Sequence, residues 1–418
     1  MRSQWCRLKS SIVTPPTEPD TQRIPVRYWI WLFGAAVSLL GDLTMTFAIG
    51  WSATQHGGRV AGLILLLAAA PRAALLLVGG AVGDRFGAPR VLLVSCMAMF
   101  VVTAALVPAS LAAGEPVWLL VVLALVVGVI DAFFLPSSRS MPRLLVPPEQ
   151  VPRALASFQV TGVVFAVTGT AVGGVLVNWS GLKAAAGFDA LTFGVMIVVL
   201  ILLRRTIAPP GRMPSGMVRA IVAGIRVAFG RPLTRALLIT MTVAAGLLMP
   251  LDALLFPLLA RSHGWNAATA GLLVASRSLG VGVIALRILV RGAFPRPGIF
   301  AAVGLLVAAA GLLGLSMFDP LPLTFASGVL SGIGVGTFTG HVLPLLMNSV
   351  EREYQSRLQS VVVLCQSLAL VVMNPVLGGL ADLNGVGITG VCLGISVAAA
   401  VTGLVVLTRP VLRAATVA

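Results

Sequence analysis

The sequence predicts an all-α integral membrane protein, with twelve transmembrane helices in two pseudo-symmetric six-helix bundles. Three observations predict it. The chain of 418 residues is 58% hydrophobic and only 10% charged, whereas a soluble domain is about 45–50% apolar and about 25% charged. It divides into twelve apolar runs, each long enough to cross a hydrocarbon core of ~30 Å. Its basic residues collect in alternate gaps between those runs.

The runs fall at 30–52, 60–82, 91–113, 117–136, 155–177, 185–203, 235–259, 268–290, 298–318, 321–345, 359–381 and 386–408. Each reads as a helix, because an open strand in lipid leaves backbone N–H and C=O groups without partners. Residues 1–28 hold Arg2, Arg7, Lys9 and four prolines but no apolar stretch of the signal-peptide kind, and read as a flexible cytoplasmic tail. Residues 29–204 form the first bundle and 235–409 the second. Between them 205–234 is basic and holds Pro209, Pro210, Pro214 and Pro232, a cytoplasmic linker with a short surface helix near 216–229. Residues 410–418 are a second cytoplasmic tail.

The net charge of +16 raises the question of nucleic acid. A nucleic-acid binder gathers its cations along one groove and interleaves aromatics for stacking; here the cations lie in short gaps between greasy runs. With both termini inside, 24 of the 29 basic residues are cytoplasmic and 3 (Arg59, Lys183, Arg261) are external. That is the positive-inside distribution of a multi-pass protein and argues against a nucleic-acid partner. Only Lys9 and Lys183 are lysine, the arginine bias of a GC-rich bacterial genome, so the expected location is the bacterial plasma membrane. Trp29, Trp31, Trp51, Trp118, Trp179 and Trp265 fall near span ends and read as the interfacial belt.

Enzyme chemistry finds little support. The 13 acidic residues are scattered, His56, His263 and His341 lie far apart, and no phosphate loop of the GxxxxGK[ST] type occurs. Cys6, Cys96, Cys365 and Cys392 have no metal-binding spacing and read as packing residues. Neither a cofactor nor a metal is expected.

The two halves repeat. Arg72 and Arg277 are 205 residues apart, Glu149 and Glu353 are 204 apart, as are Arg153 and Arg357, and Gly173-Gly174 recurs 205 residues on as Gly378-Gly379. Half the chain is 209 residues. One offset shared by matching loops and helices points to a duplicated unit, a common transporter signature.

Charges inside spans are the candidate site, since an ionised side chain at a helix centre costs ~2.5–3.5 kcal/mol on insertion scales. Asp42, Arg72, Asp131, Asp252 and Arg277 are conspicuous. Ser38, Asp42 and Thr46 are four apart and form a polar stripe on the first helix. Asp131, placed near the cytoplasmic end of the fourth helix, is expected to pair with Arg85 or Arg90. Arg72 and Arg277 either bind an anionic or carbonyl-bearing substrate or neutralise Asp42 and Asp252. On the tenth helix Ser327, Ser331, Gly334, Phe338 and His341 share a face; the histidine either titrates near neutral pH or is simply hydrogen-bonded in place.

Three stretches carry a family resemblance. Gly80-Ala-Val-Gly-Asp84-Arg85-Phe-Gly87-Ala-Pro-Arg90 lies between helices 2 and 3, with Gly87 suited to a tight turn and Asp84 to a helix cap or an ion pair. Gly169-Thr170-Ala-Val-Gly173-Gly174 in helix 5 has its counterpart in Asn374-Pro375-Val-Leu-Gly378-Gly379 of helix 11, glycines spaced for close helix approach. Asp131-Ala-Phe-Phe-Leu-Pro136 runs into Met141-Pro142-Arg143. Together they resemble the major facilitator superfamily, and within it the drug and siderophore exporters of the macrolide-efflux and enterobactin-exporter type. The first stretch departs from that family's loop at Ala88 and Pro89, where basic residues are usual, and Thr170 stands where its antiporter motif has proline.

The resemblance implies a monomeric secondary exporter whose helices 1, 4, 7 and 10 line a central cavity, with a charge relay at Asp84, Arg85 and Arg90. The partners expected are a small lipophilic or amphiphilic solute, protons and membrane lipid. On that reading Asp42 is the main proton-coupling carboxylate and Asp252 assists. A siderophore or lysolipid transporter, and an importer of the same fold, are the alternatives.

Overall fold

The computed structural model describes residues 23–204 and 229–409. Most of the first tail, the surface helix near 216–229 and the tail 410–418 lie outside the described residues. At 352–354, 356 and 357 the backbone alone is described. Among the described residues there is no strand, and twelve helices are long and apolar enough to span a membrane.

The first bundle comprises α1 (Val26–Thr54), α2 (Gly58–Phe86), α3 (Ala88–Ala113), α4 (Val117–Leu145), α5 (Val151–Ser180) and α6 (Leu182–Leu203). The second comprises α7 (Pro232–Ser262), α8 (Ala267–Arg291), α9 (Pro297–Met317), α10 (Leu321–Asn348), α11 (Arg352–Ala381) and α12 (Gly387–Thr408). Within each half the connections are short, so successive helices alternate in direction. The starts of α1 and α7 and the ends of α6 and α12 therefore share one end of the molecule, here the terminal end.

Two elements differ from the sequence expectation. The fourth helix was expected to stop at Pro136, before the polar Ser-Ser-Arg-Ser run; α4 continues through Pro136 and Pro142 to Leu145. Ser137 and Ser138 are buried in the bundle, with Ser137 beside Gly83 of α2, so these two serines face protein, while Arg139 is exposed. The carbonyl of Ala132, the group that Pro136 displaces from the helix ladder, lies against Gly79 of α2. The seventh helix breaks at Met249–Pro250 and passes through a π turn at Leu251–Leu255, an irregularity that often marks function.

Within lipid there is little hydrophobic drive between helices, so close packing of small residues holds bundles together. The two halves meet through α2 with α11 and α5 with α8, pairings that exchange under the pseudo-two-fold relation. A methyl group added at Gly174 would strike Gly271, and one at Gly378 would strike Gly58. Gly62 lies against the Asn374 and Pro375 backbone, and Gly50 of α1 against Ala253 of α7. All of these contacts lie toward the end opposite the termini. Gly169 and Gly173 serve a different joint, docking on Leu43 and Thr44 of α1, whose hydroxyl donates to the Gly169 carbonyl at 3.0 Å. Gly379, by contrast, faces open space.

Polar contacts reinforce the same end. The Asp382 carboxylate, just past α11, accepts from the backbone N–H groups of Gly58 and Arg59 at 2.8 and 2.7 Å, capping α2 from the other half. Gly57 has φ 91°, a turn that favours glycine. From α7, Arg261 donates to the Thr54 hydroxyl (2.8 Å) and the Trp51 carbonyl (3.0 Å) and lies over the Trp51 ring. At the terminal end, Arg27 to Leu145 and Tyr28 to Ala154 tie the first half to itself, and Arg231 to Ser349 ties the second. Trp31 departs from the interfacial belt: it is fully buried beside Tyr28 and Phe158, because its face of α1 turns inward. Trp118 and Trp179 are exposed as expected.

Gly378→Ala should destabilise the detergent-solubilised protein by about 1–3 kcal/mol, the usual cost of overpacking. Gly379→Ala should leave stability unchanged or raise it by up to ~1 kcal/mol through helix propensity. Thermal unfolding of the two variants side by side checks this.

Candidate functional site

Each half holds one arginine near mid-helix, and each arginine finds a carboxylate. In the second half Arg277 of α8 is buried and donates from Nη1 to both carboxylate oxygens of Asp252, at 2.7 and 2.6 Å. Its Nη2 donates to the Leu248 carbonyl at 3.0 Å. That carbonyl is at the α7 break, where helix-end carbonyls lack an intrahelical donor. The π turn therefore does two things: it aims Asp252 at α8 and supplies a second acceptor. Asp252 keeps 40% of its side chain uncovered, while Arg277 keeps 7%.

In the first half Arg72 of α2 lies 3.7 Å from Asp131 of α4, with 26% and 22% of their side chains uncovered. Gly128 on Ala68 and Gly79 on Ala132 bring the two helices together on either side of the pair. The expected partner of Asp131, Arg85 or Arg90, is thus replaced by Arg72. Because α4 extends beyond Pro136, Asp131 is near the helix midpoint and out of reach of the α2–α3 loop. Asp84, Arg85 and Arg90 are all exposed at the terminal end, and Arg85 lies over the Phe86 ring. Gly87 makes the expected turn, with φ 93°.

The polar stripe of α1 does not face one environment. Ser38 is buried, Asp42 is half-buried and Thr46 is exposed. Steps of four residues drift about 40° around a helix of 3.6 residues per turn, so three such positions span different surroundings. Arg72 is committed to Asp131, which leaves Asp42 without a cationic partner among the described residues. The sequence reading missed Asp189 of α6, fully buried and within electrostatic reach of Asp42. Its signal was present, a lone acid inside the run 185–203, but the neighbouring Lys183 made it resemble a span-end charge. The first half thus encloses Asp42, Asp131 and Asp189 against one arginine, and the second one acid against one arginine.

His341 is settled by its hydrogen bonds. Nδ1 donates to the Thr337 carbonyl at 2.7 Å and Nε2 accepts from the Phe294 N–H at 3.1 Å. Both ring nitrogens are satisfied in the neutral form, and Phe294 lies tilted beside the ring. The buried histidine pins the α8–α9 loop, the counterpart of the α2–α3 loop. Ser327, Ser331 and Gly334 of the same α10 face pack against Gly311, Gly304 and Ala308 of α9. Of the antiporter-type motif, Thr170 spends its hydroxyl on the Ala166 carbonyl at 3.2 Å, and Asn374 is buried against Gly62. Among the described residues no cluster of histidine, cysteine or acid suits a metal ion.

Two pseudo-equivalent helix bundles, sealed at one end and carrying ionisable groups at mid-depth, define a multi-pass membrane transporter. The family model for the Major Facilitator Superfamily matches residues 30–372, and the chain belongs to that superfamily. It is 26% identical over 408 residues to the multidrug efflux pump Tap of Mycobacterium tuberculosis, covering 91% of this chain and 93% of that one. It is 27% identical over 250 residues to the Tap pump of Mycolicibacterium fortuitum, covering 57% of this chain and 60% of that pump. Among solved structures, a peptide transporter POT in complex with sulfate aligns with TM-score 0.74 at 13% identity, over 94% of this chain and 96% of that one. A POT family transporter in complex with 5-aminolevulinic acid aligns with TM-score 0.73 at 13% identity, over 92% and 96%. At that identity these two share the fold.

Asp252→Asn should destabilise the protein more than Asp131→Asn, because it loosens two short bonds to a buried arginine and not one long contact. Breaking a buried pair costs ~3–5 kcal/mol; with Asp252 partly uncovered, about 2 kcal/mol is expected, against less than about 1 kcal/mol for the more open Asp131 pair. Unfolding temperatures of both variants check the order.

Proposed function

We propose that this chain is a secondary exporter that moves a lipophilic or amphiphilic compound out of the bacterial cell in exchange for protons. The observation that carries export is the resemblance over nearly the whole chain to pumps named for multidrug efflux. The charge inventory supports the coupling: a first half with two more carboxylates than arginines at mid-depth has room for protons or for a cationic solute, and not for both at once.

The 24-to-3 division of basic residues supports a cytoplasmic location for the terminal end. On that orientation the arrangement is closed to the outside, through Asp382 and Arg261, and the exposed Asp84, Arg85 and Arg90 lie on the cytoplasmic face. Solute enters from the cytoplasm and meets Asp42 in place of a proton. The halves then rock about the α2–α11 and α5–α8 contacts, which requires the outer latches to part. For a neutral solute an inward proton releases about 2.3 kcal/mol per 100 mV of membrane potential; a monovalent cation exchanged one for one moves no net charge and is driven by the pH gradient alone. Asp252, held by Arg277 in this state, belongs to the scaffold of the second half; it can assist Asp42 only if that pair opens.

Cells lacking their main efflux pumps and expressing this chain should accumulate less ethidium than control cells, and dissipating the proton gradient should abolish the difference. Asp42→Asn should remove gradient-driven efflux while the protein still reaches the membrane. Net ethidium uptake in place of efflux would reverse the direction assigned here.

A further inference from the structure

α6 is an outer helix of the first bundle, packed on α1 and α3. Near its middle Asp189 is fully buried, and neither carboxylate oxygen has a hydrogen-bond partner. One of those oxygens lies against Gly41, the residue before Asp42, where any side chain would displace it. The Thr192 hydroxyl, one turn on, donates to the Asp189 backbone carbonyl at 2.8 Å and not to the carboxylate.

The same interface holds a second orphan. Gly34 of α1 lies against Met196 and Val199 of α6, and Gly41 against Asp189 and Thr192. Ser38, four residues from one glycine and three from the other, is on that face. Its hydroxyl is buried without a partner. Two unpartnered polar groups, one an acid, face each other's helices across an otherwise tight joint.

Among the described residues the surrounding charges give Asp189 no cation. From α1 the nearest titratable group is Asp42, from α3 it is the buried Cys96 close to Asp42, and from α4 it is Asp131, whose charge Arg72 of α2 answers. The remaining charged side chains of α3 and α5, Arg90 and Arg153, are at the terminal ends of those helices. An ionised carboxylate buried with neither donor nor cation costs far more than its neutral form, so such a group takes up a proton.

We propose that Asp189 is a proton-binding site, the buried end of a two-carboxyl relay whose accessible end is Asp42. In the state closed opposite the termini, Asp189 holds the proton as its neutral acid. As solute leaves on the outside, a proton taken up at half-buried Asp42 passes on to Asp189; before the next solute binds it returns through Asp42 to the cytoplasm, one O–H bond breaking at one carboxyl as another forms at its neighbour. The inference rests on the proton-antiport reading and adds a residue from a helix that does not itself meet the solute.

The test compares wild type, Asp42→Asn and Asp189→Asn in proteoliposomes, with ethidium as probe. Two quantities are read: exchange of labelled for unlabelled ethidium without a gradient, and accumulation under an imposed pH gradient. One proton per solute gives roughly tenfold accumulation per pH unit. Asp189→Asn should keep exchange within about twofold of wild type, a change worth well under 1 kcal/mol, and lose the accumulation. Accumulation equal to wild type would overturn the proposal. If wild type itself ignores the gradient, the antiport reading fails first and visibly, and the relay with it. If Asp189→Asn abolishes exchange as well, infrared spectroscopy of the Asp42→Asn/Asp131→Asn double variant decides. A protonated-carboxyl band at neutral pH supports Asp189 as the proton holder, and its absence refutes it.

Discussion

The structure depends on one constraint: a polar group placed inside an apolar bundle must find its partner in the protein. Water is not there to supply one, and each unanswered group costs kilocalories. The helices satisfy their own backbones, and the prolines and the π turn create the exceptions. Those exceptions are where the molecule becomes specific. The carbonyl at the α7 break receives Arg277, and the one that Pro136 displaces rests on Gly79. Side-chain charges follow the same rule, and the places where it is satisfied poorly stand out against it.

Seen this way the halves are alike in scaffold and unlike in charge. Arg72 and Arg277 occupy repeated positions, yet one meets an acid from α4 at 3.7 Å and the other an acid from α7 at 2.6 Å. The second half is neutral and tightly bonded at its centre. The first carries two additional acids, Asp42 and Asp189, with no cation set against them. A duplicated bundle has thus kept its packing joints while its interior chemistry diverged, which suits a machine whose halves must move as bodies but whose coupling group need occur only once.

Much of this was legible beforehand. Run length and the alternation of arginine gaps announced the twelve spans, because the bilayer imposes a length and the positive-inside bias a side. Gly174 and Gly378 were legible as packing residues, since glycine spacing on a helix fixes a face. Pairing was less legible. Asp131 was assigned to the loop arginines because the fourth apolar run ends at Pro136; the bundle instead buries Ser137 and Ser138 and carries α4 onward to Leu145. The Ser38–Asp42–Thr46 stripe diverged because a four-residue step is not a whole number of turns. Asp189 was visible as a lone acid inside a run, but how deeply α1 and α3 cover it is set by packing that its local sequence does not show. His341 left two readings open, and only the Phe294 N–H, 47 residues away, decides between them.

The central claim is that two rigid halves, sealed opposite the termini by Asp382 and Arg261, exchange which end is closed. Spin labels report it most directly. One pair, at Lys183 and Asp319, spans the halves at the sealed end, and a second, at Arg85 and Arg296, spans them at the terminal end. Measured in lipid by pulsed electron resonance across a pH change or on adding a transported cation, the first distance should lengthen as the second shortens. Distances that stay fixed, or that lengthen together at both ends, would contradict the account.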